Sequence, residues 1–278
     1  MKRIATIQDI SCFGKCSLTV ALPIISALGV ETAVIPTAVL SAHTQFENFT
    51  FRDLTEDIPA ICDHWQQERL AFDGVYTGYL GSSRQIDLVA DFFDKFRKEN
   101  TLVLVDPVMA DNGQLYPGFS QDFPAQMAKL CAKADMIVPN ITEACLLTGM
   151  AYKEEYDETY IRTLLEKLSQ LGAGVSILTG VAFAPDITGV MGYERKTGEY
   201  FCYKHKRMGK NYPGTGDVFA STCMGVMMGG KSWKEAVQIA QDYTAYCIAL
   251  TMQDPNAGSY SVNFEEAIPY LLKRTGLV

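Results

Sequence analysis

Short runs of apolar residues with almost no polar interruption, each followed by a segment of helical period, recur from residue 3 to residue 180. RIATIQ (3–8), TAVIPTAVL (32–40), GVYTGYLG (74–81), TLVLVDPV (101–108), DMIVPN (135–140) and VSILTG (175–180) read as strands. SLTVALPIISALG (17–29, closed by Gly29), EDIPAICDHWQQERLA (56–71), SRQIDLVADFFDKFRKE (83–99), FPAQMAKLCAKA (123–134), TEACLLTG (142–149) and ETYIRTLLEKLSQLG (158–172) read as helices. A strand that is apolar on both faces has to be covered on both faces. Strand–helix alternation with short loops then implies right-handed crossovers and a mostly parallel sheet between two helical layers, a three-layer α/β/α sandwich. After residue 186 the period changes to two: ITGVMGYE and GEYFCYKHKRM flank the turn-forming RKTG, which predicts an antiparallel hairpin at the sheet edge. Helices beginning near residues 215, 232 and 263 complete the chain. With no linker, repeat or low-complexity tract, residues 1–278 are expected to form one domain.

Composition narrows the function classes. The chain is 48% hydrophobic and 20% charged, enough apolar surface for a large core. The net charge of −8 is spread along the chain without a basic stripe, which argues against nucleic acid as a partner. It leaves room for a phosphate-bearing substrate, since such sites rely on local amides and one or two cations. The longest apolar run, VALPIISALGV, is short and holds a proline, so no transmembrane helix is expected. MKRIATIQD enters a strand pattern directly, without signal-peptide features, and a cytoplasmic protein is expected. The eight cysteines lie mostly in apolar periodic segments, and Cys12 and Cys16 lack zinc-knuckle spacing; buried, reduced thiols are expected.

In an open α/β sheet ligands bind beyond the carboxyl ends of the strands, so the loops there carry the chemistry. The first gives Asp9 and the second His43 and Thr44. The fourth gives Asp106, Asp111 and Tyr116, the fifth Asn140 and Glu143, and the sixth Thr179 and Gly180. Each has an ordinary structural explanation. Asp9 and Thr142 suit helix caps, DNG suits a turn, and NITE suits a helix start. Their gathering at one sheet edge is what argues for function.

The segment PGTGDVFAS (213–221) adds the decisive chemistry. Gly214 and Gly216 let the main chain turn tightly and present bare N–H groups, and the helix that follows aims its positive end at the same place. Gly214, Thr215 and Gly216 thus describe an anion hole suited to a phosphoryl group in transfer. Asp217 cannot bind an anion, but it can accept the proton of an attacking hydroxyl beside that hole. Together these features describe a small-molecule kinase. There is no GxxxxGK[ST] loop and no protein-kinase HRD or DFG set, so the nucleotide is held by another route. Asp106, Asp111 and Glu143 are the candidates to organise Mg²⁺, partly through water.

GTGD, DPV with the second acid Asp111, and N-x-x-E at Asn140–Glu143 resemble the ribokinase-like superfamily over essentially the whole chain. AVLSAHTQF, TGYLGS and VDPVMADNG resemble its pyridoxal/pyridoxamine kinase branch. The resemblance implies ATP-dependent phosphorylation of the 5′-hydroxyl of a B6 vitamer. Asp217 would be the general base, and Asp9, His43, Thr44 and Tyr79 would lie around the substrate. Asp106, Asp111, Tyr116, Asn140, Glu143, Thr179 and Gly180 would surround ATP and its Mg²⁺, with K⁺ as a further candidate ion. It also implies a homodimer without a separate lid. Asp9 stands where many of these kinases have serine, and Ala110 where glycine is common. The rival readings are a hydroxymethylpyrimidine kinase, using the same base and anion hole, and a non-catalytic B6-vitamer binding protein.

Overall fold

The computed structural model describes residues 1–209 and 212–278. By its internal contacts the chain divides into two compact units: residues 1–76 with 208–278, and residues 77–207.

The first unit opens with β1 (Arg3–Ser11), α1 (Leu18–Ala27), β2 (Glu31–Leu40), the short strand β3 (Phe51–Asp53), α2 (Ile58–Gln67) and β4 (Gly74–Thr77). The strand order is β4-β1-β2-β3. β1 and β2 run parallel from Arg3↔Glu31, a register held at its start by the Arg3–Glu31 ion pair (2.9 Å). Ile4, Ala5, Ile7 and Ile35 are fully buried, as the unbroken apolar runs require. The ladder slips once: Gln8 faces Pro36 and Ile10 faces Val39, so Thr37 and Ala38 together stand against Asp9. Such bulges re-aim side chains and recur next to functional sites.

The second unit holds α3 (Ser83–Phe96), β5 (Leu102–Val105), the two-residue strands β6 (Ala110–Asp111) and β7 (Gln114–Leu115), α4 (Phe123–Cys131), β8 (Met136–Ile137), α5 (Ile141–Thr148), α6 (Glu158–Leu171) and β9–β11 (Val175–Ala184, Ile187–Glu194, Glu199–Lys206). α3 shows why a segment becomes helical. Ser82 caps it by accepting from the Gln85 N–H (3.3 Å), and Ile86, Val89, Phe92, Phe93 and Phe96 form a buried stripe at helical spacing. β5, β8 and β9 pair in parallel, and β9–β10–β11 is antiparallel. The expected α/β fold with a mostly parallel sheet and an antiparallel edge hairpin is therefore the one found.

The chain then returns to the first unit with α7 (Thr215–Met228), α8 (Trp233–Gln253) and α9 (Phe264–Thr275). α7 is apolar almost all round because α1 and α8 both pack on it; Val20, Ile24, Val218, Val226, Ile239 and Tyr243 share one core. No helix among the described residues is long and apolar enough to cross a membrane.

Tyr243 is fully buried and its hydroxyl donates to the Phe264 carbonyl at 2.8 Å, tying α8 to the start of α9. Tyr243→Phe leaves that carbonyl without its donor and should lower stability by about 1–3 kcal/mol. Urea unfolding with an unchanged m-value is the check.

Candidate active site

In the first unit the site is built where the β1–α1 loop meets the mouth of α7. Gly214, the N-cap of α7, has φ +78, and a Cβ there would stand 2.3 Å from the Lys15 carbonyl oxygen. Only glycine fits. Gly214 has no side chain to cap the first-turn amides of α7, so it leaves them their capacity for an anion. Thr215 turns its hydroxyl to the Tyr212 carbonyl (3.0 Å) and Gly216 is exposed.

Asp217 lies in that first turn and accepts a hydrogen bond from the Ser17 backbone N–H. Burial, and then the nearby charge of Asp9, push its pKa up to about 7, while the Ser17 amide pulls it down. A carboxylate in that range is about half ionised near pH 7 and basic enough to take a proton from an alcohol. Asp9 is 4% exposed and accepts from Ser11 Oγ (3.0 Å) and from the Ser17 hydroxyl. Burial raises its pKa as well. The N-cap position of α1 is Ser17, so Asp9 is not a helix cap.

His43 is 4% exposed. Its Nδ1 accepts from the Gln45 N–H (3.3 Å), so Nε2 carries the proton and donates to the Tyr260 carbonyl (2.8 Å). Burial lowers its pKa, which keeps the ring neutral. The ring lies so close to Gly14 that a Cβ at that residue would be 2.1 Å from Cδ2. Both nitrogens are occupied by backbone, and the imidazole holds two loops together rather than offering a free base. Thr44 is exposed on the same loop.

In the second unit Glu143 is 4% exposed and receives the N–H groups of Met109 (3.1 Å), Ala110 and Asn140 (2.8 Å). With Asn140 Oδ1 accepting from Glu143 N (2.9 Å), the pair forms a capping box on α5. Asn140 Nδ2 donates to the Ala110 carbonyl (2.8 Å) and Gly113 N–H to Thr142 Oγ1 (3.0 Å), which seats the β6–β7 hairpin on α5. The hairpin turns through Asn112 (φ 51) and Gly113 (φ 78), the Asn-Gly pattern of a two-residue turn, and presents Asp111 at its tip. Ala110 takes no positive φ, so the place where glycine is common carries no strain here. Asp106 is 6% exposed at the end of β5, with its amide on the Thr77 carbonyl (2.9 Å). Tyr116 is exposed and Tyr79 is half-buried against Phe119. Thr179 and Gly180 do not follow a strand, as the sequence implies; they form a bulge inside the longer β9, with Gly180 at φ +70 and Thr179 N–H on the Pro139 carbonyl (3.1 Å).

Among the described residues no three His, Cys, Asp or Glu side chains are arranged to hold a metal ion by themselves. Asp106, Asp111 and Glu143 are therefore not a closed ligand set. Burial and the Asp111 charge raise Glu143 to about 8, and burial, then Glu143 and Asp106, push up the Cys131 thiol. Asp106 and the exposed Asp111 fit a hydrated Mg²⁺ that takes most of its ligands from phosphate and water.

The sequence did not single out Gly14, Lys15 or Ser17, although a G-K-C-S run just beyond the first strand end was the signal available. It also passed over the ring cluster Phe13, Phe46 and Tyr260, with centroids 5.1–5.5 Å apart. Among the described residues the eight cysteines form no disulfide; Cys62, Cys131, Cys145, Cys223 and Cys247 are buried as expected, whereas Cys12 and Cys202 are exposed.

Residues 18–263 match the family model described as phosphomethylpyrimidine kinase. A solved structure from Bacteroides thetaiotaomicron, provisionally described as a phosphomethylpyrimidine kinase, is 38% identical with TM-score 0.94, covering 97% of this chain and 93% of that one. An orthorhombic form of that protein with pyridoxal gives a TM-score of 0.93. Pyridoxal kinase from Lactobacillus plantarum is 29% identical with TM-score 0.90, covering 98% of this chain and 97% of its own. Pyridoxine/pyridoxal/pyridoxamine kinase of Bordetella avium is 25% identical over 89% of this chain and 85% of its own length.

Asp217 makes stability depend on pH in a defined direction. Its raised pKa means that the unfolded chain ionises this group first, so its contribution is full below about pH 4 and lost as pH rises through about 7. The melting temperature of Asp217→Asn minus that of the parent should therefore grow from pH 4 to pH 7 and then level off. A pH-independent difference in thermal melts contradicts the assignment.

Proposed function

Since the chain belongs to the phosphomethylpyrimidine kinase family, we propose that it transfers the γ-phosphoryl group of ATP to the 5′-hydroxymethyl group of a B6 vitamer. The observation that carries this reading is Asp217: a carboxylate raised to about 7, held by the Ser17 amide, at a helix mouth whose N-cap glycine has no side chain to cap the first turn. Asp217 takes the proton of the hydroxymethyl group as its oxygen bonds to the γ-phosphorus and the bond to the ADP oxygen breaks. The amides at Gly214, Thr215 and Gly216 stabilise the charge on the phosphoryl oxygens. Asp9 and Thr44 meet the polar substituents of the pyridine ring, and His43 fixes the loop that carries Thr44. Tyr79 lies beside the ring. Asp106, Asp111, Tyr116, Asn140, Glu143, Thr179 and Gly180 serve the nucleotide side. Mg²⁺ would be met chiefly by Asp111 and Asp106, and it supplies charge neutralisation for the phosphates. A cytoplasmic homodimer, with K⁺ as an added ion, completes the reading; it follows from the family resemblance.

The relatives support the vitamer over the pyrimidine. One neighbour described as a pyrimidine kinase was solved with pyridoxal, and the relatives from Lactobacillus plantarum and Bordetella avium are described as a pyridoxal kinase and a pyridoxine/pyridoxal/pyridoxamine kinase. The pyrimidine reading keeps its own support in the family description and uses the same base. ADP release against pyridoxal, pyridoxamine, pyridoxine and hydroxymethylpyrimidine decides between them, and binding without turnover leaves only a carrier.

Asp217→Asn should lower kcat by about 10²–10⁴-fold while nucleotide binding survives. In the parent, kcat/KM should rise with pH to a plateau above about 7, the range where Asp217 becomes ionised. Near-normal turnover in the variant removes the base.

Asp9 also has a testable role. His43, whose positive charge would favour ionised Asp9, is neutral, so a cationic amine on the substrate would find an acceptor there. A charge-assisted hydrogen bond is roughly twice as strong as a neutral one. Pyridoxamine should be preferred over pyridoxal in kcat/KM, and Asp9→Ser should narrow that ratio. An equal loss on both substrates refutes the amine contact.

A further inference from the structure

The loop between β1 and α1 is held in an unusual conformation by contacts from several sides. Gly14 has φ +101, Lys15 φ +51 and Ser17 φ +54 with ψ −126. Two of these three are non-glycine residues in a region that L side chains rarely occupy, and such backbone persists only where its surroundings over-determine it. Three backbone ties do part of this: Cys12 N–H to the Leu40 carbonyl (2.9 Å), His43 N–H to the Phe13 carbonyl (3.1 Å), and the Ile10↔Ser17 bridge.

A further tie is the Lys15 side chain. Its ammonium makes a 2.8 Å ion pair with Glu265, reaches Asn263 Oδ1 and the Val262 carbonyl at 3.5 Å, and lies 5.8 Å from the centre of the Phe264 ring. These groups are the start of α9, the end of a helix whose dipole disfavours a cation. A lysine is a poor choice there for helix stability alone. The backbone of the same residue does something else: its carbonyl oxygen is the atom against which Gly214 is fitted, and two residues on the Ser17 N–H meets Asp217.

We propose that Lys15 is a positioning residue, which by anchoring the β1–α1 loop to the start of α9 aims the Ser17 amide at the Asp217 carboxylate. The role rests on Asp217 being the base, as read above. Lys15 acts through the loop, not through its own charge: the influences on Asp217 are burial, the Ser17 amide and the charge of Asp9, and those on the adjacent Cys16 thiol are burial, Asp217 and Asp9. His43 faces Asp9 from the β2 side and stays neutral. With Lys15 released, the amide that favours the ionised form of Asp217 weakens and the base holds its proton to higher pH.

The test uses the full-length protein with Lys15→Met, Lys15→Arg and Glu265→Gln, the last an exposed substitution that removes the ion pair without touching the loop. Two readouts are followed, the acidic limb of kcat/KM against pH and the titration of the Asp217 carboxyl by carbon-13 NMR. Lys15→Met should move both upward by about half a unit to one unit, the order expected for weakening one charge-assisted hydrogen bond. That corresponds to about a three- to eight-fold loss of kcat/KM at pH 6.5 which vanishes above about pH 9. Glu265→Gln should move both in the same direction by less, and Lys15→Arg should restore the parental values. An Asp217 titration unmoved in Lys15→Met and Glu265→Gln overturns the proposal, even if the melting temperature falls. Full turnover in Asp217→Asn overturns the base assignment instead, and the NMR titration keeps the two failures apart.

Discussion

A carboxylate drawn partly out of water, next to a second carboxylate, is the arrangement on which the rest of the first unit depends. Asp217 and Asp9 each destabilise the charged form of the other, and burial adds to the cost. What keeps Asp217 usable near neutrality is one backbone N–H, from Ser17, together with the favourable end of the α7 dipole. Bringing that N–H into place forces the loop through positive φ at Gly14, Lys15 and Ser17. It also brings the Lys15 carbonyl so close to the start of α7 that residue 214 has no space for a side chain. The glycine of the motif is therefore required twice, once by its own φ and once by its neighbour.

The second unit solves a different electrostatic problem with the same kind of residue. Glu143 is buried as deeply as Asp9, but its oxygens are occupied by the amides of Met109, Ala110 and Asn140. It works as a structural acceptor that fixes the β6–β7 hairpin and leaves Asp111 outside. Residue type alone puts Asp111 and Glu143 in one class. Their surroundings separate them, one able to meet a hydrated ion and the other holding the backbone that carries it.

Much of the fold was legible because it follows from period and capping. The runs at 3–8, 101–108 and 175–178 are buried on both faces as their composition demands, and ITGVMGYE–RKTG–EYFCYKHK folds into the expected hairpin. The departures share a cause. GVYTGYLG and DMIVPN are apolar for longer than they are paired, because β4 and β8 lose ladder partners after four and two residues. β3 and the β6–β7 pair are too short to show a period at all. β9 continues past Thr179–Gly180 because a bulge absorbs the left-handed glycine that looks like a strand end in the sequence.

By itself the sequence determined the α/β class and the family, and it singled out Asp217 as the candidate base. Hydrophobic period, turn glycines and an acid at a helix start are local signals, and local geometry fixes what they mean. The tertiary structure decided what the polar residues can do. His43 is held as a loop anchor because one ring nitrogen meets the Gln45 amide on its own loop and the other the Tyr260 carbonyl, 217 residues away. Glu143 became an amide acceptor, and Lys15 gained a role from Glu265, 250 residues away. Proton affinity and hydrogen-bond capacity are set by burial and by which groups converge in space, and residue spacing along a chain carries no information about either.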